Sequence, residues 1–288
     1  MLREERKNVY KTKSERGLRK ERECGIFFDI KPMRLSVIIP TKNEERWLPR
    51  LLESLKMQTI QPYEVIVADA NSTDRTRAVA ASFGARVVDG GMPSVGRNRG
   101  AQAAQGEMLL FLDADAVMRH PKFLEDNLRE LAERHLLLAT CYLEPDNQGF
   151  LGLIDRTLYA FYNQYAVSLE RRWPHAVGSC IFVDRIMHER AKGFDEGLVF
   201  AEDMEYVRRV ADVGCRFGIL RAHPLFISMR RLDKEGRARL IVKYVYAEWH
   251  LFTQGPFREA LPFSYEMGSY SEKEGCVDSL DARPPGKV

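Results

Sequence analysis

Cysteine is scarce and scattered. The five thiols, Cys24, Cys141, Cys180, Cys215 and Cys276, are odd in number and contain no C-x-x-C pair. That argues against a structural zinc and against a disulfide framework, and points to a reducing, cytoplasmic setting. Long apolar runs are missing too. None approaches the ~18 residues of a membrane-crossing helix, and the N-terminus lacks the apolar segment of a secretory signal. Charge of one sign is not in excess. A net charge of +3 gives no reason to expect a nucleic-acid partner. Internal repeats and low-complexity tracts are absent. What is present, 45% apolar and 30% charged residues in 288, suits one large domain with a sizeable core.

Residues 1–32 are polar and charged with little apolar periodicity, which predicts a loose tail. Met33 stands directly before the first clear strand and is a candidate natural start, a basic arm being the alternative reading of the tail. The expected domain spans 33–262, in two halves, 33–120 and 121–262. Residues 263–288 are expected to be disordered.

From Leu35 onward, strand and helix patterns alternate. Leu35–Ile39 reads as a strand buried on both faces, Tyr63–Ala68 as a second buried strand, and Arg86–Val88 and Met108–Leu112 as further strands. Between them, Glu44–Met57, Thr73–Phe83 and Pro93–Gln105 carry helical spacing, with Ser72 or Asn71 as cap of the second. Lys122–His135 follows as a helix, then a strand at Leu136–Leu143 and a long aromatic helix at Leu151–Leu169. Ser179–Val183 and Cys215–Leu220 read as strands, Glu202–Val213 and Arg237–Phe252 as helices. These units predict an α/β fold: a doubly wound, mainly parallel sheet with helices on both faces and a distinct C-terminal half. Ligands in such sheets sit beyond the carboxyl ends of the strands.

Three turns with carboxylates lie at such ends. Pro40–Thr41–Lys42–Asn43–Glu44 follows the first strand; Pro40 cannot donate to the ladder, and Thr41 and Asn43 can cap a helix or bond a base. Asp69–Ala70–Asn71–Ser72–Thr73–Asp74 follows the second, with Asp69 either accepting from a base N–H or holding a turn. Asp113–Ala114–Asp115 follows the fourth. In extended chain, residues i and i+2 face the same way, and two carboxylates so placed repel unless a cation intervenes. A hard divalent ion such as Mg²⁺ or Mn²⁺ suits such oxygen ligands. Between these turns, Ser94–Val95–Gly96–Arg97–Asn98–Arg99–Gly100–Ala101 opens a helix whose Arg97 can clamp a diphosphate; Arg99 reads as solvated.

In this order and spacing the motifs resemble glycosyltransferase family 2, of the GT-A fold. The matching stretches are Ser36–Glu44, Val67–Asp74, Gly96–Ala101 and the D-x-D of Asp113–Asp115. The resemblance implies that Pro40, Thr41, Glu44 and Asp69 line the nucleotide site. It further implies that Asp113 contacts nucleotide or ribose and that Asp115 holds the divalent cation on the diphosphate. Where many members have Asp-Asp-Gly-Ser, this chain has Asp69–Ala70–Asn71–Ser72, which matches Asp69 but leaves the next contact open. Further on, Glu202–Asp203 opens a predicted helix, where acids also suit the helix dipole. Family members carry a Glu-Asp pair there, so Asp203 takes the role of catalytic base, with Glu202 as the nearby alternative. His223 compares with positions that supply a metal or phosphate ligand in some relatives; a structural role beside Pro224 is the other reading. Gly178–Ser179–Cys180 resembles the acceptor-side loop, and Arg230–Arg231 can reach a diphosphate, reach an anionic acceptor, or be solvated.

The expected reaction moves a sugar from a nucleoside-diphosphate sugar, UDP- or GDP-linked, to an acceptor hydroxyl of unknown kind, with inversion. A sugar-phosphate nucleotidyltransferase is the nearest alternative, but the turn after the first strand contains no glycine. A non-catalytic sugar-nucleotide binding protein is the other. Leu240–Phe252, with Arg237, Arg239 and Lys243 beside it, can pack on the core or lie on a bilayer from the cytoplasmic side. The sequence favours packing and leaves peripheral membrane contact as the second reading.

Overall fold

The computed structural model describes residues 33–198 and 200–258. The two expected tails, 1–32 and 263–288, and the last residues of the expected domain lie outside that range.

Eight strands form one sheet: β1 (Leu35–Thr41), β2 (Glu64–Asp69), β3 (Arg86–Asp89), β4 (Met108–Leu112), β5 (Ala116–Val117), β6 (Leu138–Pro145), β7 (Cys180–Asp184) and β8 (Phe217–Ile227). Their spatial order is β3-β2-β1-β4-β7-β6-β8-β5. β1, β2, β3 and β4 pair in parallel, as do β6 and β8. β7 runs antiparallel to both neighbours, and β5 runs antiparallel to β8. The sheet is thus mainly parallel, as the pattern predicts, with an antiparallel joint between its two halves.

The helices are α1 (Leu48–Lys56), α2 (Thr76–Ser82), α3 (Pro93–Ala103), α4 (Phe123–Glu133), α5 (Gly149–Leu169), α6 (Arg185–Arg190), α7 (Glu202–Asp212), α8 (Arg230–Glu235) and α9 (Arg237–Thr253). β4 explains why the central strands read as unbroken apolar runs. Leu110 and Leu112 pack on one face with Leu48 and Leu51 of α1 and Phe123 of α4. Leu109 and Phe111 pack on the other with Met187 of α6 and Tyr206 of α7. All five β4 side chains are inaccessible to solvent, each large one worth about 1.5–3 kcal/mol on burial. On that second face α3 lies close because Gly100 has no side chain; a Cβ there would stand 2.4 Å from Ile38 Cγ2.

Three features depart from the sequence pattern. β8 continues to Ile227, well past the expected Leu220, because its second half pairs with β6 beyond a bulge between Cys141 and Leu143. Arg221, His223 and Pro224 break the apolar signal there without breaking the strand. Strand β5 and helices α6 and α8 are too short for periodicity to show. The helix over residues 76–82 begins at Arg75, not at Ser72 or Asn71. Its first turn is held by Asp74, whose Oδ1 accepts from the Thr76 amide at 2.9 Å.

Candidate active site

The ends of β1, β2 and β4 and the start of α7 open onto a cavity of about 910 Å³. Pro40, Thr41, Arg97, Asp113, Asp115 and Asp203 all line it, as do Glu44 and Glu202. Eight residues singled out in the sequence thus face one cavity.

The first two turns are stitched together. Asn43 and Asn71 both adopt left-handed backbone, φ 53° and 55°, which asparagine tolerates better than most residues. The Asn43 amide donates to Ser72 Oγ at 2.8 Å, and Asn43 Oδ1 accepts from the Thr73 amide at 2.9 Å. Asn43 thus caps the neighbouring turn, not its own helix. Lys42 Nζ donates to the carbonyls of Ala70 and Asn71 at 2.7 and 2.8 Å. Pro40 lies past the last β4 pairing at Ile38, where a missing N–H costs nothing.

Asp69 is the anchor of this stitching. Its carboxylate is fully buried and accepts from Thr41 Oγ1 at 3.2 Å, from Ser72 Oγ at 2.5 Å and from the Ser72 amide at 3.0 Å. Arg77 Nη1 adds a fourth contact at 3.3 Å. With its acceptor sites so engaged, Asp69 holds the turn, and the cavity wall at this point is Ala70.

Arg97, expected to clamp a diphosphate, is only 3% exposed and is taken up by protein carboxylates. Its Nη1 donates to Glu202 Oε1 at 2.9 Å and its Nη2 to Asp113 Oδ1 at 3.1 Å. Burial alone would lower its pKa, but the Asp113, Glu202 and Asp203 charges hold it well above the ordinary value. Arg97 therefore joins the D-x-D turn to the start of α7. Ser179 Oγ donates to Asp113 Oδ2 at 3.0 Å, fixing that carboxylate from the acceptor-side loop.

The acid pair of α7 separates into two roles. Glu202 is buried against Arg97. Asp203 Oδ2 accepts from the Gly178 amide at 2.6 Å and Oδ1 from the Met204 amide at 2.8 Å. Ala201, before them, sits at φ 55°, an unusual conformation for a residue with a Cβ. Burial first, then the Glu202 charge, pushes the Asp203 carboxyl up to about 6, against the opposing pull of Arg97.

Arg230 is the residue that sequence reasoning left unassigned. Its guanidinium donates to both Glu44 oxygens at 2.6 and 2.8 Å, and its Nε lies 3.0 Å from Asp115 Oδ2. Burial raises the Glu44 carboxyl to about 7 despite that partner, and burial likewise raises Asp115. Only the adjacent arginine pair in the sequence hinted at this bridge. His223 stands elsewhere. Its Nε2 contacts Asp126 Oδ2 at 2.9 Å and its ring stacks on His120 at 3.6 Å. His120, Asp126 and His223 are, among the described residues, the group whose ligand atoms lie within 4.8 Å of one another. The cavity reaches β8 only at its end, Ile227 and Ser228, so the expected partnership of His223 with Asp115 is not formed.

The match to a family model, Glycosyl transferase family 2, covers residues 36–191. The chain belongs to glycosyl transferase family 2. Among family relatives it is 36% identical over 109 residues to 4,4'-diaponeurosporenoate glycosyltransferase of Staphylococcus haemolyticus, covering 35% of this chain and 29% of that one. It is 36% identical over 127 residues to validoxylamine A glucosyltransferase of Streptomyces hygroscopicus subsp. limoneus, covering 39% and 28%. The alignments thus span under a third of the length of these curated relatives. The fold is that of the GT-A enzymes. The mannosyltransferase PcManGT of Pyrobaculum calidifontis, solved with GDP-Man and Mn²⁺, superposes with a TM-score of 0.58 at 20% identity, over 83% of this chain and 77% of that one. Residues 1–349 of S. aureus TarS, solved with UDP-GlcNAc, give 0.55 at 22% identity, over 68% and 58%.

Proposed function

We propose that this chain transfers a sugar from a UDP- or GDP-linked donor to an acceptor hydroxyl, with inversion at the anomeric carbon. The observation that carries this reading is Asp203. Its carboxylate faces the same cavity as the D-x-D turn, has a pKa near neutrality and is held by two backbone amides. A base of that strength can take a hydroxyl proton while remaining charged at neutral pH.

The donor half supplies the nucleotide wall: Pro40, Thr41 and Ala70 from the stitched turns, with Asp69 bracing them from behind. Asp113, held by Arg97 and Ser179, faces the nucleotide or its ribose. Arg97 then ties donor to acceptor side, so that the base and the D-x-D turn keep one spacing. Arg230 and Arg231, both on the cavity wall, offer positive charge to a departing diphosphate.

A divalent cation fits this donor set. Glu44, Asp113 and Asp115 bring hard oxygen ligands to one wall, and burial penalises the charge on Glu44 and Asp115 unless a cation is near. Asp115 would hold the ion, and it would neutralise charge on the leaving diphosphate. Mn²⁺ beside GDP-Man in PcManGT supports this choice.

A thermal-shift screen of UDP-, GDP- and dTDP-sugars with Mn²⁺ or Mg²⁺ tests the reading. Cation-dependent stabilisation by one nucleotide, followed by NMR assignment of an inverted product, is the expected result. A retained anomer removes Asp203 from its role, and release of pyrophosphate from a nucleoside triphosphate reassigns the reaction altogether.

A further inference from the structure

Helix α9 packs on the domain with one face and leaves a second apolar face outside. Its buried positions are Leu240, Lys243, Ala247 and Leu251. Its outer stripe, at helical spacing, is Val242, Val245, Trp249 and Phe252, from 53% exposed at Trp249 to 72% at Phe252. Polar residues belong on such a stripe in a helix facing water. Helix α5 repeats the pattern, with Phe150 at 77% and Phe161 at 72% exposed.

The two helices are tied to each other near both ends. Asp155 of α5 pairs bidentately with Arg237 at the start of α9. At the other end Trp173, just after α5, stacks edge-on with Phe252 at 5.4 Å and donates to Glu248. Their apolar stripes also meet the cavity: Tyr165, Ile241 and Val245 are exposed and line it at once. Whatever reaches Asp203 from this side crosses apolar lips.

Charge indicates what covers the face. At the end of α5, Ser168 continues its outer stripe into a recess of about 760 Å³ formed with Arg171, Arg172, Arg216 and Arg221. Its two acids, Glu130 and Glu170, are paired with Arg134, and Glu170 also lies 3.7 Å from Arg221, which leaves Arg171, Arg172 and Arg216 in excess. At the opposite end, Asp233 and Glu235 pair with Arg237 and Lys243. An apolar face with an arginine cluster along one end matches an anionic bilayer surface, apolar side chains in the acyl boundary and arginines at the headgroups. Among the described residues no helix is long and apolar enough to cross a membrane, so the contact is one of lying on the surface.

We propose that the α5–α9 face docks on an anionic membrane, and, resting on the transferase reading above, that the acceptor is an amphiphile of that membrane whose hydroxyl reaches Asp203 between the two helices.

Co-sedimentation of the full chain with phosphatidylcholine vesicles, with and without phosphatidylglycerol, tests the docking without any assay of activity. The expected result is binding at least about tenfold stronger to the mixed vesicles. Val242→Ser/Trp249→Ser/Phe252→Ser should lose that binding, while Arg171→Glu/Arg172→Glu should lose only the preference for phosphatidylglycerol. None of these residues is placed in the donor machinery, so nucleotide-induced thermal shifts should persist in both variants. Should the triple variant misfold, quenching of tryptophan fluorescence by brominated lipid, compared between the wild-type chain and Trp249→Phe, reads the same contact. Absence of vesicle binding, unchanged binding by the triple variant, or a wild-type dimer that this variant converts to monomer each overturns the docking. The acceptor is read with the labelled donor that the nucleotide screen selects: label in the organic-extractable phase of added vesicles supports an amphiphile, and label confined to the aqueous phase overturns it. Vesicle binding without nucleotide response sinks the transferase reading and leaves the docking standing.

Discussion

The Gly178 amide donates to Asp203 Oδ2 at 2.6 Å at a place where Gly178 itself has no room for a side chain. A Cβ there would stand 2.3 Å from Arg97 Nη2 and 3.3 Å from Asp203 Oδ2. Arg97 cannot swing aside cheaply, because Asp113 and Glu202 hold it on two sides. Gly178→Ala should therefore lower kcat by about a hundredfold, the cost of misplacing a catalytic group by about 1 Å. Nucleotide binding, read by thermal shift, should change far less. Full activity in the alanine variant would show that the spacing of Arg97 and Asp203 is not critical.

The raised carboxyl of Asp203 fixes the direction of the pH profile. A general base works only when deprotonated, so kcat/KM should rise with pH through a midpoint of about 6 and level off above it. Asp203→Asn should lose about 10²–10⁴-fold in kcat and flatten that limb. Glu202→Gln should instead disturb Arg97 and keep the rising limb but move its midpoint down, since the Glu202 charge is one of the causes that raise Asp203. A profile unaltered by Asp203→Asn would move the base elsewhere.

Much of this site was legible before any coordinates. Strand-end turns, their order and the helix opening at Pro93 followed from alternation of apolar runs with capping and turn residues, and they placed Thr41, Asp113 and Asp115 over one sheet edge, while Asp203 was singled out by the family resemblance alone. What stayed hidden was which partner each charge takes. Arg97 looks like a diphosphate ligand because it opens a helix, yet Glu202, more than a hundred residues away, claims it. Arg230 crosses a still longer stretch, 186 residues, to reach Glu44. Long-range ion pairs leave no local periodicity. The same is true of α9, where an amphipathic pattern shows that two faces exist but not which one meets solvent.

Arg230 and a divalent cation seek the same carboxylates. Glu44 titrates at about 7 and Asp115 above its usual range, both through burial. Protons therefore compete with a cation in the neutral and mildly acidic range. Stabilisation by Mn²⁺ with the selected nucleotide should be large at about pH 8 and nearly absent at about pH 5, checked by melting temperature against cation concentration. Asp115→Asn should remove the cation response at both values. An equal response at both would show that the ion is held by groups other than these.

Asp155 carries a prediction about how the acceptor side is held. Its carboxylate is completely buried on α5 and accepts from Arg237 Nε and Nη2, each at 2.7 Å, and from Asn147 Nδ2 at 2.6 Å. Removing the buried partner leaves Arg237 with Asp233 as its counter-charge, and the lost buried hydrogen bonds typically cost about 1–3 kcal/mol. Arg237 opens α9, so the loss should fall on that helix before the rest of the domain. Asp155→Ala should lower the urea midpoint, and hydrogen exchange should quicken first in the amides of residues 237–253, with β1 and β4 still protected. Because α9 forms one wall of the cavity, KM for the acceptor should rise while nucleotide binding, seated on the β1 and β2 turns, is kept. Uniform exchange across both halves would mean that α9 and the nucleotide-binding strands unfold as one unit.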